Sequence, residues 1–473
     1  MAVEKAVVKG RVGLGVLLVW CVFIVWPSWR TESFAEYKEP AVSERTSGVD
    51  LYSYMGASSC SNSDCHGSST ARNKFRIGQN EYYIWAQKDK HAKAYEVLTS
   101  ADAKIIARNL KIAKPEESAR CLACHAVPAS PDRQGSLYDI TDSVSCEACH
   151  GPAEKWLDPH IRPGFDPQRG ASLGMYNTKD LVKRAEKCLE CHAGTGGKEV
   201  THELIGAGHP RLTFEIDAYA YAMPPHWRPP QERKDREWLG ARVWAIGQAA
   251  AFRNEIRRLM ASRRVDSGLW PDFAHLDCFA CHHAVVDRLR GITEQEKTEQ
   301  GWRRKEYAGT PGRLVWNSSS YVVFRHVVKL AAAEEGKQLE QLLRVFHEGP
   351  AGKESSRESL QATLSKLSAL SDRVVSPVAR YTFTKQSVMS LMNSISGDGH
   401  RLAASGFLAA EQAVLALASL YDTYFETAGA MPSSQAIKDT IDALHKAIQR
   451  GSAFDPIEFE ATMGRLHELL SKA

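Results

Sequence analysis

Ten of the eleven cysteines in this chain fall into five short-range pairs, and in every pair the second cysteine is followed at once by histidine. Four segments read Cys-x-x-Cys-His: Cys121, Cys124 and His125; Cys146, Cys149 and His150; Cys188, Cys191 and His192; and Cys278, Cys281 and His282. The fifth, Cys60, Cys65 and His66, has four residues between its cysteines. Disulfides are the common use of cysteine in exported proteins, but these pairs are too close and too uniformly followed by histidine for that. Structural zinc also uses Cys-x-x-Cys, yet it needs two such pairs, or cysteines with histidines at variable spacing, rather than a histidine directly after every second cysteine. With 17 histidines in 473 residues, five such placements by chance have a probability of roughly 10⁻⁷.

The pattern is what covalent haem attachment requires. Two thiols form thioethers with the haem vinyl groups, and the next residue supplies an imidazole to iron from the same turn. The sequence therefore predicts five haems c, with His66, His125, His150, His192 and His282 as proximal ligands. The wider spacing at Cys60 and Cys65 is met by a looped-out backbone.

Twelve histidines remain for the opposite faces of the irons. Ligation by two histidines suits an electron carrier, because it leaves iron no open site and little geometry to reorganise. His91, within a stretch from Trp85 to Tyr95 that reads as helical, and His160, in a proline-containing loop ten residues after His150, are expected as distal ligands. His202 and His209 are the next candidates, with Gly208 permitting close backbone approach to a flat macrocycle. His226, in Pro-Pro-His-Trp-Arg-Pro-Pro, reads as a rigid loop residue, and His275 and His283 lie too near their own motif to reach the same iron. His326, His347, His400, His445 and His467 read as ordinary helix residues.

The order of these pieces resembles the cytochrome c-554 family of multihaem electron carriers linked to hydroxylamine oxidation. The matching string is an early motif, a Trp…His91-Ala-Lys-Ala stretch, Cys121-Leu-Ala-Cys124-His125, Cys146-Glu-Ala-Cys149-His150-Gly-Pro with a downstream His160-Ile-Arg, and then Cys188 to His192. The resemblance covers roughly residues 55 to 195. It implies that His160 caps the His66 haem, that His91 caps the His192 haem, and that the His125 haem lacks a protein distal ligand. The Cys-x₄-Cys-His spacing, the added motif at Cys278 and the long segment after it depart from that pattern.

Lys5, Lys9 and Arg11 precede an apolar run from Val12 to Trp26. This reads as an export signal or a retained N-terminal membrane anchor over residues 1–29, placing the remainder on the periplasmic side of the inner membrane. Residues 30–50 are polar and charged, a linker. A pentahaem domain over 51–295 is expected to consist of short helices and long loops. Within it, Glu232 to Arg264 forms a clear helix with Trp238, Leu239, Val243, Trp244, Ile246 and Ala250 lining one face. Over 305–473 cysteine vanishes and amphipathic patterns follow one another near 320–347, 355–374, 376–396, 406–427, 433–450 and 456–472, a helical bundle. The fold class is mainly α.

The formal net charge of +4 is small for 473 residues and points away from nucleic acid. Each oxidised haem adds a net charge of about −1 with its propionates, so five bring the holoprotein near neutrality. The expected function is electron transfer between redox partner proteins. The competing expectation is a haem-dependent oxidoreductase acting on hydroxylamine, nitrite or nitric oxide at an open iron, although no Cys-x-x-Cys-Lys variant marks one.

Overall fold

The computed structural model describes residues 52–72, 77–195, 197–227, 237–261, 272–278, 282, 316–348, 357–450 and 454–473. The expected export segment, the 30–50 linker, Cys21, Cys281 and His283 lie outside these residues, as does the expected boundary between haem domain and bundle. Among the described residues no helix is long and apolar enough to cross a membrane. Their regular elements are all helices, and their only strand-like pairings are two isolated bridges, Tyr54 with Gln134 and Leu276 with Trp316.

The attachment motifs build the short helices. Ala119–His125 and Cys146–His150 each carry a complete Cys-x-x-Cys-His, and Leu181–Leu189 runs through Cys188 into a wider turn, Glu190–Gly194, that holds Cys191 and His192. Residues three and four apart share one face of a helix, so both thiols and the imidazole are presented together. In the first motif the helical turn Ala57–Cys60 ends early. The two extra residues then close a loop in which the amides of Cys65 and Gly67 both donate to the Asn62 carbonyl. Gly56, at φ 86°, lies so close to the Leu137 carbonyl that any Cβ would overlap it.

The stretch from Trp85 to Tyr95 is not one helix. Glu81–Lys88 stops at Asp89, whose carboxylate accepts from the His91 amide and starts a new tight turn, Lys90–Lys93, followed by Ala94–Val97. A side chain that captures a backbone amide two residues on offers the chain an alternative to the continuing helix.

One long helix, Leu239–Ala261, joins the two halves of the core. Its apolar residues do not form a single stripe. Leu239, Val243, Ile246 and Ala250 pack with Ala185, Leu189 and Ile216 on the motif side, while Trp244, Ala249, Phe252 and Ile256, with Trp238 just before the helix, enter the core of the C-terminal bundle. A helix buried on opposite faces shows weak amphipathicity. Gly247 lets it seat against Ile216, where an added Cβ would meet Cγ2 at 2.3 Å. Its arginines reach both ways: Arg253 pairs with Glu186, Arg242 donates to the Ala379 carbonyl at 2.6 and 3.0 Å, and Arg257 meets Asp372 at 2.7 Å.

The bundle comprises Ser319–Val322, Phe324–Ala331, Ala333–Glu348, Arg357–Arg380, Lys385–Gly397, Gly399–Ala404, Phe407–Ala428, Ser434–Gln449 and Pro456–Ser471. Two expected boundaries move. The 320–347 pattern breaks at Val323 and Ala332, and the helix expected to end at 374 continues through Pro377 to Arg380. Pro377 lies inside that helix and removes one of its backbone hydrogen bonds; the next helix follows Thr384, capped reciprocally with Ser387. The Asp455-Pro456 start appears as expected, with the Asp455 carboxylate accepting from the amides of Ile457 and Glu458.

Between motif region and bundle, Arg211 forms a bidentate pair with Glu411 at 2.6 and 2.8 Å, and the buried Glu215 accepts from Ser419 Oγ at 2.8 Å. Burial, and then the neighbouring Asp217, push the Glu215 carboxyl up to about 7. An acid whose folded pKa is raised holds its proton longer folded than unfolded, so stability falls as pH rises from about 4.5 through 7. Denaturant titrations of Glu215→Gln between pH 5 and 8 are expected to lack most of that fall, worth about 3 kcal/mol for a shift of this size; parallel profiles for variant and parent would contradict this assignment.

Candidate metal centre

Four motif histidines each face a second imidazole at nearly the same separation. Ring centres lie 6.2 Å apart for His66 and His160, 6.0 Å for His192 and His91, 6.5 Å for His125 and His209, and 6.0 Å for His282 and His202. Two imidazoles bound through nitrogen to opposite sides of one metal ion, at about 2.0–2.1 Å each, hold their ring centres about 6 to 6.5 Å apart. Among the described residues no three His, Cys, Asp or Glu side chains converge as a closed metal cage would require. The histidines meet in twos, with paired cysteines alongside, which fits haem c ligated on both faces.

The outer ring nitrogens are engaged. His125 Nδ1 donates to the Ala94 carbonyl at 2.8 Å, His209 Nδ1 to the Pro210 carbonyl at 2.7 Å, and His160 Nδ1 to the Leu157 carbonyl. His66 and His91 use carboxylates instead, Glu81 at 3.0 Å and Asp89 at 2.9 Å. Fixing the proton on Nδ1 leaves the Nε2 lone pair for iron and sets the ring's orientation.

Burial drives the His150 imidazole down to about 4, with the nearby charges of His226 and His66 adding to it, and burial followed by His91 does the same to His192. Both are therefore neutral at physiological pH, the form that binds metal. His66 and His91 move upward, because their hydrogen bonds to Glu81 and Asp89 outweigh burial.

Segments distant in sequence are locked around these pairs. The buried Glu147 carboxylate, inside the third motif, accepts from the amides of Met55, Gly56 and Ala153 at 2.7–2.9 Å, fastening the approach to the first motif against the third. Trp85 Nε1 donates to the Val144 carbonyl, and the Tyr95 amide to Ser143 Oγ. The Cys60 thiol lies beside that of Cys146, and Cys124 beside that of Cys191. One attachment sulfur of the first motif thus touches the third motif, and one of the second touches the fourth. At the other end the His202 amide donates to Asp272, Trp316 packs on Phe346 with ring centres 4.5 Å apart, and Cys278 lies against the bundle core.

Two expectations change. The resemblance implies an open His125 site, but the turn after helix His202–Gly206 returns His209 to it. Gly208 at φ 116° makes that turn, held by Asn109 Nδ2 donating to the Ala207 carbonyl at 3.0 Å. His226, read as a rigid loop residue, is half-buried, with its Nδ1 atom shielded from solvent. The flanking prolines hid it: they signal a stiff loop without saying where the loop points. His275 is committed elsewhere, its Nδ1 2.8 Å from Glu255, which Arg258 and His275 hold down to about 2 against burial.

Residues 59–151 match the family model described as cytochrome c554 and c-prime, a segment that contains the first three motifs. No curated protein and no solved structure matches the chain.

The ring planes within the pairs differ: 12° for His66 and His160, 33° for His202 and His282, and 89–90° for the other two. Perpendicular imidazoles leave the two iron d orbitals that they overlap nearly equal in energy, whereas parallel ones split them. The electron paramagnetic resonance spectrum of the oxidised holoprotein is expected to contain both low-spin classes. His209→Ala should convert one perpendicular-class haem to high spin while covalent haem is retained; a spectrum unchanged by that substitution would remove His209 from the ligand set.

Proposed function

We propose, for this c-type cytochrome with covalently bound haem and an electron-transfer function, that the chain carries five haems, each held between two histidines, and relays electrons among them between redox partner proteins on the periplasmic side of the membrane. The observation that carries this reading is the pairing of His66, His125, His192 and His282 with His160, His209, His91 and His202 at 6.0–6.5 Å. Haem supplies a one-electron iron couple. The protein residues hold two neutral nitrogens per site, fix their tautomers, and knit distant segments so that ligation changes little between oxidation states. The contacts Cys60 to Cys146 and Cys124 to Cys191 support close neighbours within two couples, first with third and second with fourth. The basic leader and the apolar run from Val12 to Trp26 support export, with that run retained as an anchor or cleaved.

The enzyme alternative needs an iron with one protein ligand missing. His209 opposite His125 favours the carrier. Intact-mass analysis of the holoprotein is expected to show five covalent haems, and carbon monoxide to leave the spectrum of the reduced protein unchanged. Reduction of nitrite, hydroxylamine or nitric oxide faster than about 1 s⁻¹, the low end for ordinary enzymes, would overturn the carrier reading.

A further inference from the structure

We infer that Glu81 and Asp89 tune reduction potential, holding the His66 and His192 haems below the His125 haem, so that each of the two contacting couples contains one low-potential member. The inference rests on the two-histidine ligation proposed above.

The five hydrogen-bonded axial histidines fall into two chemical groups. His125, His160 and His209 donate from Nδ1 to backbone carbonyls, whereas His66 and His91 donate to carboxylates. The carboxylates are built into place. Glu81 Oε1 accepts from the Gly78 and Gln79 amides at 2.7 and 3.2 Å, leaving Oε2 on His66. Asp89 is 5% exposed, and its Oδ1 takes both the amide and the Nδ1 of His91, at 3.0 and 2.9 Å. Among the described residues neither has a lysine or arginine partner within ion-pair distance.

A carboxylate acceptor draws the Nδ1 proton further than a carbonyl does. The ring gains imidazolate character and becomes a stronger donor to iron. A buried negative charge near the metal adds to this in a low dielectric. Both effects favour ferric iron, and therefore lower the potential. The first motif contacts the third and the second contacts the fourth. The carboxylates back ligands of the first (His66) and of the fourth (His91 opposite His192), one in each couple. In the couple of the second and fourth motifs electrons are thereby biased toward the His125 haem, whose two histidines donate to carbonyls.

The test is a redox titration of the full holoprotein, followed by electron paramagnetic resonance, for the parent, Glu81→Gln and Asp89→Asn. Each substitution preserves size and an acceptor oxygen and removes the charge. Glu81→Gln is expected to raise one near-parallel-class haem, and Asp89→Asn one perpendicular-class haem, by at least about tenfold in the ferric–ferrous equilibrium, which is 59 mV for one electron. Haem count and low-spin ligation should stay unchanged, and the charge-retaining Asp89→Glu should return most of its shift. Potentials that stay put in both variants with ligation intact, or conversion of the affected haem to high spin, would assign the carboxylates a purely structural role and overturn the inference. Should a variant fail to mature, the parent still decides: its two perpendicular-class haems must differ by at least that tenfold, and equal potentials count against tuning. Failure of the underlying ligation reading looks different, since the parent itself would then lack the low-spin classes.

Discussion

The motif region depends on imidazoles meeting in pairs across a gap one metal ion wide. Its own apolar cores are small: Leu98, Leu122 and Ala126 make one cluster, and the larger one beside helix Leu181–Leu189 borrows Leu239, Val243 and Ile246 from the long helix. Such a region cannot rest on side-chain burial as the bundle does, whose core runs from Trp238 to Leu470. The paired imidazoles, which would ligate haem iron, stand where such burial is lacking. Each pair ties segments far apart in sequence, His66 to His160, His91 to His192, His125 to His209 and His202 to His282. A bond of that kind contributes to folding as a metal does in other small-cored proteins.

Polar contacts then remove the remaining freedom. Glu147 satisfies three amides from two segments, Asp89 both ends a helix and holds His91, and Glu81 caps the Gly78 turn while it holds His66. The same side chains that shape the local backbone set the orientation of the rings. Local structure and ligand geometry are therefore coupled, which is why a region so poor in regular structure has defined sites. The bundle serves this arrangement from outside. The helix Leu239–Ala261 presses one face on the fourth motif through Leu189, while Trp316 and Phe346 pack where the fifth motif begins.

Much of the site was legible because attachment chemistry is local. Cys121 to His125 must occupy one turn, so residue spacing alone announces it. His91 and His160 stood out through their surroundings and the resemblance, and His202 and His209 through the glycines near them. The open site implied for His125 was not found, because the resemblance carries no information about where the chain goes after Cys188 to His192. His226 was passed over for a related reason: its neighbours are prolines, which constrain the local backbone and are silent about its destination. In the bundle, amphipathic period located the helices, but the breaks at Val323 and Ala332 and the passage through Pro377 were set by packing and capping.

From the sequence alone came the five Cys–Cys–His motifs, the mainly helical class and the change of character toward a bundle after residue 304. Each follows from chemistry confined to a few neighbouring residues or to a repeating period. Tertiary structure alone decided that His209 faces His125 and His202 faces His282, that carboxylates of Glu81 and Asp89 rather than carbonyls back His66 and His91, and that the first motif lies beside the third and the second beside the fourth. Those are contacts between segments up to about a hundred residues apart, and spacing along a chain does not encode which distant parts meet. Their choice depends on how the turns at Asp89 and Gly208 aim the chain and on how the long helix closes over the result.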